Sequence, residues 1–304
     1  MRDNFDKNEI IDTALVRAMS EKSDFPALFK IIIHYGLFVG MIVILGAFKW
    51  SIYLEFIFVL ILGFLIFSLY APFHETTHKT AFKSYFGNFI CAWITGFTYG
   101  YSPGMHEGFH FQHHRYTNEI RDPEKGYSLP QFRGRMAAQV SLAGLLGLTV
   151  PFHSLILSFV PIKHWDKFEA SWAPAAKRKA WRRECRLMAL LWITAFFLLS
   201  YNLHLMTLII LALIVGRLIH GFIIVSEHEG LTDGGDMLDR TRSIYSSRFF
   251  RWFWWNMNFH AEHHAWPSIP FHRLNKVHEI RKKKNDVNLR SYFGFFLKRQ
   301  YRNN

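Results

Sequence analysis

Of the seventeen histidines in this chain, eight fall into three short groups: His74-Glu-Thr-Thr-His78, His110-Phe-Gln-His113-His114 and His260-Ala-Glu-His263-His264. Neutral imidazole is a general ligand for iron, zinc, copper and nickel. Residues three and four apart on a helix share a face, with Cβ atoms about 5–6 Å apart, so each group would present two or three rings together. One HxxxH alone is a weak sign of metal; joined to two HxxHH groups it is a strong one. Eight imidazoles exceed the needs of a zinc site, which closes at about four ligands. They suit two ions with open positions, and redox-active iron better than zinc.

Two other chemistries share these letters. His74-Glu75-Thr-Thr-His78 has the form HExxH, in which two histidines hold zinc beside a glutamate base; a single-zinc hydrolase has no use for the two HxxHH groups. Glu75-Thr-Thr-His78 and Glu107-Gly-Phe-His110 also read as ExxH, the pattern of soluble di-iron carboxylate bundles, with Glu262 and Glu229 as the further carboxylates. That arrangement leaves His74, His113, His114, His263 and His264 without a role.

The elements that must position these groups are membrane helices. Leu28–Phe48 carries only Lys30 as a charge, and Ile52–Phe73 only Glu55. About 20 apolar helical residues cross a hydrocarbon layer of about 30 Å, so both qualify, joined tightly by Lys49-Trp50-Ser51. Leu187–Tyr201 and Leu203 to about Val225 form a second hairpin around Asn202. Phe86–Tyr101 is short, and Ala137–Val160 contains Pro151 and His153; both are expected to be interfacial or re-entrant, because a crossing at 137–160 would put the basic block after it on the outer side. Arg217 and His220 sit in the last apolar stretch. A charge at mid-bilayer costs about 2.5–3.5 kcal/mol, which predicts that this helix leaves the bilayer near Arg217. The expected fold is therefore all-α, an integral membrane protein with four transmembrane helices in two hairpins and a cytosolic helical cap holding the histidines.

Charge and cysteine usage agree. The net charge of +13 concentrates in Lys163–Arg186, with eight Lys/Arg against three acids, and from His272 to the end, with ten against two. Basic blocks beside apolar segments fit the positive-inside bias and anionic headgroups, and no nucleic-acid motif accompanies them. Cys91 and Cys185 are far apart and read as reduced, structural thiols. The first 27 residues are polar and mixed in charge, with no cleavable signal, so the first membrane helix would serve for targeting. A non-catalytic metal transporter would line its spans with polar groups, and these have few. The domains expected are a cytosolic N-terminal segment (1–27), the membrane domain (28–285) and a basic tail (286–304).

The order HxxxH, HxxHH, HxxHH, with a hydrophobic hairpin between the second and third, resembles the membrane fatty acid desaturase/hydroxylase superfamily. The likeness extends to Lys79-Thr-Ala-Phe82 after the first group, to Arg115-Tyr116-Thr117 and Asp122-Pro123-Glu124 after the second, and to Asn256-Met-Asn-Phe before and Pro267 after the third. It covers roughly residues 25 to 285. It implies a di-iron centre on the cytosolic face, O2 as oxidant, and ligation by His74, His78, His110, His113, His114, His260, His263 and His264. A ninth ligand in the family follows the last membrane helix, where this chain has His228. Asn256 matches a position that approaches one iron, directly or through water. His106 and His220 are candidate partners that orient ligands; His34, His153, His164, His204, His272 and His278 are expected in interface or surface roles.

Removing hydrogen from an unactivated methylene needs an oxidant that no side chain supplies, while the protein supplies orientation and exclusion of water. The expected substrate is the acyl chain of a lipid (membrane lipid, acyl-CoA or acyl carrier), entering past Trp252-Phe253-Trp254-Trp255, which could equally form an interfacial aromatic belt. Arg182–Arg186 and Arg281–Lys284 are candidates for an anionic headgroup, the lipid surface or an acidic electron donor. No His-Pro-Gly-Gly stretch occurs, so the donor is separate: ferredoxin, rubredoxin or cytochrome b5. Desaturation is the expected reaction, with hydroxylation or ketolation the alternative on the same scaffold. Compact loops lean towards a bacterial inner membrane over the endoplasmic reticulum.

Overall fold

A computed structural model describes residues 10–127, 135–168, 172–284 and 291–295. Among these the chain is helical, apart from one isolated parallel bridge between Tyr245 and Ser291. Residues 286–290 and 296–304 of the expected basic tail lie outside the described residues, as does the start of the N-terminal segment. Ser291 and Tyr292 return to the body, where Tyr292 is buried.

After a short helix α1 (Thr13–Met19), the first hairpin consists of α2 (Asp24–Ala47) and α3 (Ile52–Ser68), with Ser51 capping α3 through its side chain. The run continues as α4 (Tyr70–Thr77), so the first histidine group rides directly on the end of a membrane span. The break at Leu69 has a local cause: Pro72 lacks an N–H and would press on the carbonyl four residues back. The outer faces of α2 and α3 expose large apolar side chains, Ile32 at 63% and Phe56 at 63% among them. Such a band would be untenable in water and is what lipid requires.

Next come α5 (Tyr85–Tyr99) and α6 (Pro103–Tyr116), the latter carrying the second histidine group. A 3-10 turn (Pro123–Tyr127) leads to α7 (Met136–Leu148) and α8 (Val150–Phe159). By length and composition, four segments can span a membrane: 24–47, 52–77, 138–159 and 203–228. The third is not the expected 187–201, which forms only the apolar half of α9 (Ala175–Leu199). Contacts decide how 138–159 runs. Along α10 (Leu203–His228), α7 proceeds from Gly221, against Val140, to Arg217, against Gly144 and Gly147, and so inward from the site end. Pro151 then meets Gly100 and lies near Trp192, and α8 returns along α9 until Arg186 Nε donates to the Ser158 carbonyl at 3.0 Å. The two halves meet in a bend at Thr149, wedged beside α9 and α10.

Helix α10 continues without a break through Arg217 to His228. The guanidinium is buried, donating to the Tyr99 carbonyl at 2.7 Å and lying 4.1 Å from the Tyr99 ring, so its charge is satisfied within protein. Close packing of α10 on α3 rests on Gly63 and Gly216: a Cβ at Gly63 would lie 2.6 Å from Val215, and one at Gly216 would lie 2.8 Å from the Gly63 carbonyl. The cap is completed by α11 (Met237–Arg240), α12 (Arg248–Phe253), α13 (His260–Ala265) with the third histidine group, and α14 (Leu274–Lys284). Ile10 and Ile11 pack with Phe259, Trp266 and Leu274. The segment before the first span therefore lies on the same side as the histidines.

Candidate metal centre

Three helix ends and one helix terminus converge here. His74 and His78 come from α4 and its C-cap, His110, His113 and His114 from α6, His228 from the last residue of α10, and His260, His263 and His264 from α13. The nitrogens of His74, His78, His110, His114 and His263 lie within 4.8 Å of one another, and those of His113, His228, His260 and His264 form a second such group. All nine histidines named from the sequence are thus brought together, divided five and four. Each group draws on at least three elements, so neither exists before the tertiary fold.

Ring nitrogens face one another with no proton arrangement that suits them all. His78 Nε2 is 2.9 Å from His110 Nε2, and His263 Nε2 is 3.2 Å from His114 Nε2. In the other group, His260 Nε2 meets both His228 Nε2 at 2.9 Å and His264 Nε2 at 3.0 Å. Donors bound at about 2.1 Å to one ion lie about 3.0–3.4 Å apart at angles from a right angle to tetrahedral, so the spacing fits ligands of a shared cation. Burial holds His78 and His260 down at about 3 and His114, His263 and His264 well below the ordinary imidazole range, keeping them neutral, the form that ligates.

Outer nitrogens find partners unevenly. His113 Nδ1 donates to Asp122 Oδ1 at 2.9 Å; burial opposes its protonation, but Asp122 and Glu124 raise it to about 9. Glu227 Oε2 lies 3.7 Å from His260 Nδ1, and Thr117 Oγ1 lies 3.3 Å from His264 Nδ1. A carboxylate behind a ligating histidine fixes its tautomer and raises its basicity. The Asn118 side chain joins the loop after the second group to the carbonyls of His228 (3.1 Å) and Arg240 (2.6 Å). Its φ of 64° is one that asparagine tolerates.

Other named residues lie around the two groups. Asn256 donates through Nδ2 to the Phe271 carbonyl at 3.0 Å, which holds the turn before the third group. His106 bonds Thr77 Oγ1 at 2.7 Å and the Tyr70 hydroxyl at 3.2 Å, its ring parallel to that of His110. His220 packs on Tyr70, 4.3 Å between ring centroids. His278, buried rather than superficial, bonds Glu262 at 2.7 Å; Arg281 and Ser243 donate to the same carboxylate, clamping α13 from behind.

These contacts dispose of the two rival motifs. Glu75 accepts from Thr80 Oγ1 and the Phe271 N–H, Glu107 pairs with Lys177, and Glu262 faces α14. None of Glu75, Glu107, Glu229 and Glu262 belongs to either nitrogen group. Asp122, Glu124 and Glu227, whose roles beside the rings went unread in the sequence, come from loop and helix-end positions that no periodicity marks.

A cavity lies between the groups, walled on one side by His74, His110, His113, His228, His260 and two carboxylates, Glu124 and Glu227. Tyr70, Ile223, Ile224, Trp254 and Met257 make its apolar side. Of the aromatic tetrapeptide, Trp254 thus faces the cavity, while Trp255 is fully buried against Phe271 and Trp252 covers Lys30.

Comparison with known proteins matches this architecture. Delta(5) fatty acid desaturase fat-4 of Caenorhabditis elegans is 37% identical over 70 residues, which is 21% of this chain and 16% of that protein. The match thus spans a small part of the relative's length. The family described as fatty acid desaturase matches residues 28–295, through all three histidine groups and every membrane segment. The chain belongs to the fatty acid desaturase family.

Proposed function

We propose that this protein is an O2-dependent di-iron desaturase acting on the acyl chain of a lipid at the membrane surface. Its two irons would be held by His74, His78, His110, His114 and His263 in one group and by His113, His228, His260 and His264 in the other. The observation that carries the reading is that both groups open on one cavity with an apolar wall of Tyr70, Ile223, Ile224, Trp254 and Met257. Two adjacent acyl carbons each lose a hydrogen, and O2 takes them up with two electrons and two protons to give two waters. Bound iron supplies the oxidising power of dioxygen that no side chain has.

The chain's own residues bind, orient and exclude water. The apolar wall desolvates a methylene segment and holds it against the histidine side of the cavity. Asp122 keeps the Nδ1 proton of His113 in place, leaving Nε2 free to ligate. The electrons come from a separate acidic donor such as ferredoxin, rubredoxin or cytochrome b5, and the site faces the cytosol, in a bacterial inner membrane. The basic start of α9, with Arg182 and Arg183, is on the same side and suits either an anionic headgroup or that donor.

Mass spectrometry of lipids from a reconstituted enzyme tests the reaction. The expected product is two hydrogens lighter than the substrate; a product that has only gained an oxygen would make the protein a hydroxylase.

A further inference from the structure

Three carboxylates flank the histidine groups, and one is oriented unlike the others. Asp122 and Glu227 each face an outer Nδ1, that of His113 at 2.9 Å and that of His260 at 3.7 Å. Glu124 faces an inner nitrogen: its Oε2 lies 3.6 Å from His113 Nε2. Nδ1 of His113 is committed to Asp122, and Nε2 is buried with no hydrogen-bond partner. A carboxylate oxygen and a ring nitrogen facing one another call for a cation between them, and 3.6 Å is too long for a shared proton. A nitrogen and an oxygen each about 2.1 Å from one ion stand about 3.6 Å apart when the angle between them is near 120°. The other oxygen of Glu124 lies 3.8 Å from His110 Nδ1, beside the five-histidine group. The carboxylate also lines the cavity between the groups, and its side chain is 12% exposed.

We propose that Glu124 is a ligand of the metal in the four-histidine group, completing a five-donor set there and placing its second oxygen towards His110. The donor counts of the two groups then match, and the metal pair acquires an anion within its inner surroundings. The assignment rests on the di-iron reading above, and the test separates the two.

Protein labelled with 57Fe is purified as wild type and as Glu124→Gln, and iron content and Mössbauer spectra are recorded for both. Wild type should hold two irons with two doublets, one for each histidine group. In Glu124→Gln one doublet should shift or vanish, with iron falling to as little as half, while the other stays. Wild type without two irons would sink the di-iron reading itself. Two irons with both doublets unchanged in Glu124→Gln would overturn the role of Glu124 alone. Should Glu124→Gln fail to accumulate, Glu124→Asp, which keeps the charge but shortens the reach, must show the altered doublet; unaltered spectra in that variant overturn the proposal equally.

Discussion

The two histidine groups are built from the same residue type within one cap, yet their surroundings differ. In the four-histidine group all members are buried, and three carboxylates approach their rings within 4.0 Å. In the five-histidine group His78 and His114 are partly exposed, and Glu124 is the one carboxylate within that distance of a member among the described residues. Burying a cation costs several kcal/mol unless charge and ligands offset it. One group meets that cost with nearby anions, the other with an additional imidazole and partial access to solvent. Two neighbouring ions can thus be given unlike electrostatic settings by a single residue type, through what stands behind each ring.

The largest effect should come from deleting a ring. His263→Ala removes a member of the five-histidine group whose nitrogen pairs with that of His114. Purified protein should lose iron from that group, and cells expressing it should lack the unsaturated product; an unchanged lipid profile would break the comparison. Asp122→Asn should act more weakly and on the other group alone, because the ring of His113 remains but its Nδ1 loses an anionic acceptor. A fall of about 10–100-fold in iron affinity is expected, read by competition with a chelator. Loss confined to the five-histidine group would contradict the assignment of partners. Smallest for the centre should be Gly63→Val, which touches neither group. The new side chain meets Val215 and the Ala212 carbonyl on α10, an overpacking that costs about 1–3 kcal/mol. A lower melting temperature with unaltered iron per folded chain is expected; selective loss of one iron would show that span packing and site are coupled.

How much could be read beforehand depended on the range of the interaction. Each histidine motif lies within two turns of helix, so i, i+3 and i+4 spacing was enough to nominate its rings, and hydropathy was enough to find the first hairpin. His228 stands alone in sequence and was reachable only through resemblance. The division into five and four was not legible, since it sends His113 and His114, adjacent on α6, to different groups. Asp122 and Glu124 act from an irregular turn after α6, and Glu227 from a helix end, where no pattern signals orientation. Segment 138–159 shows the limit of hydropathy: it is long and apolar enough to cross, but the bend at Thr149 and its packing through Gly144 and Ser158 are not signalled by composition. Arg217 looked costly in a span because its acceptor, the Tyr99 carbonyl, is supplied by a helix more than a hundred residues away.

Metal analysis of the purified wild-type protein bears most directly on the account. Two irons per chain are predicted, one for each nitrogen group. A single zinc ion, or stoichiometric metal that survives replacement of His228 and His263 together, would contradict it.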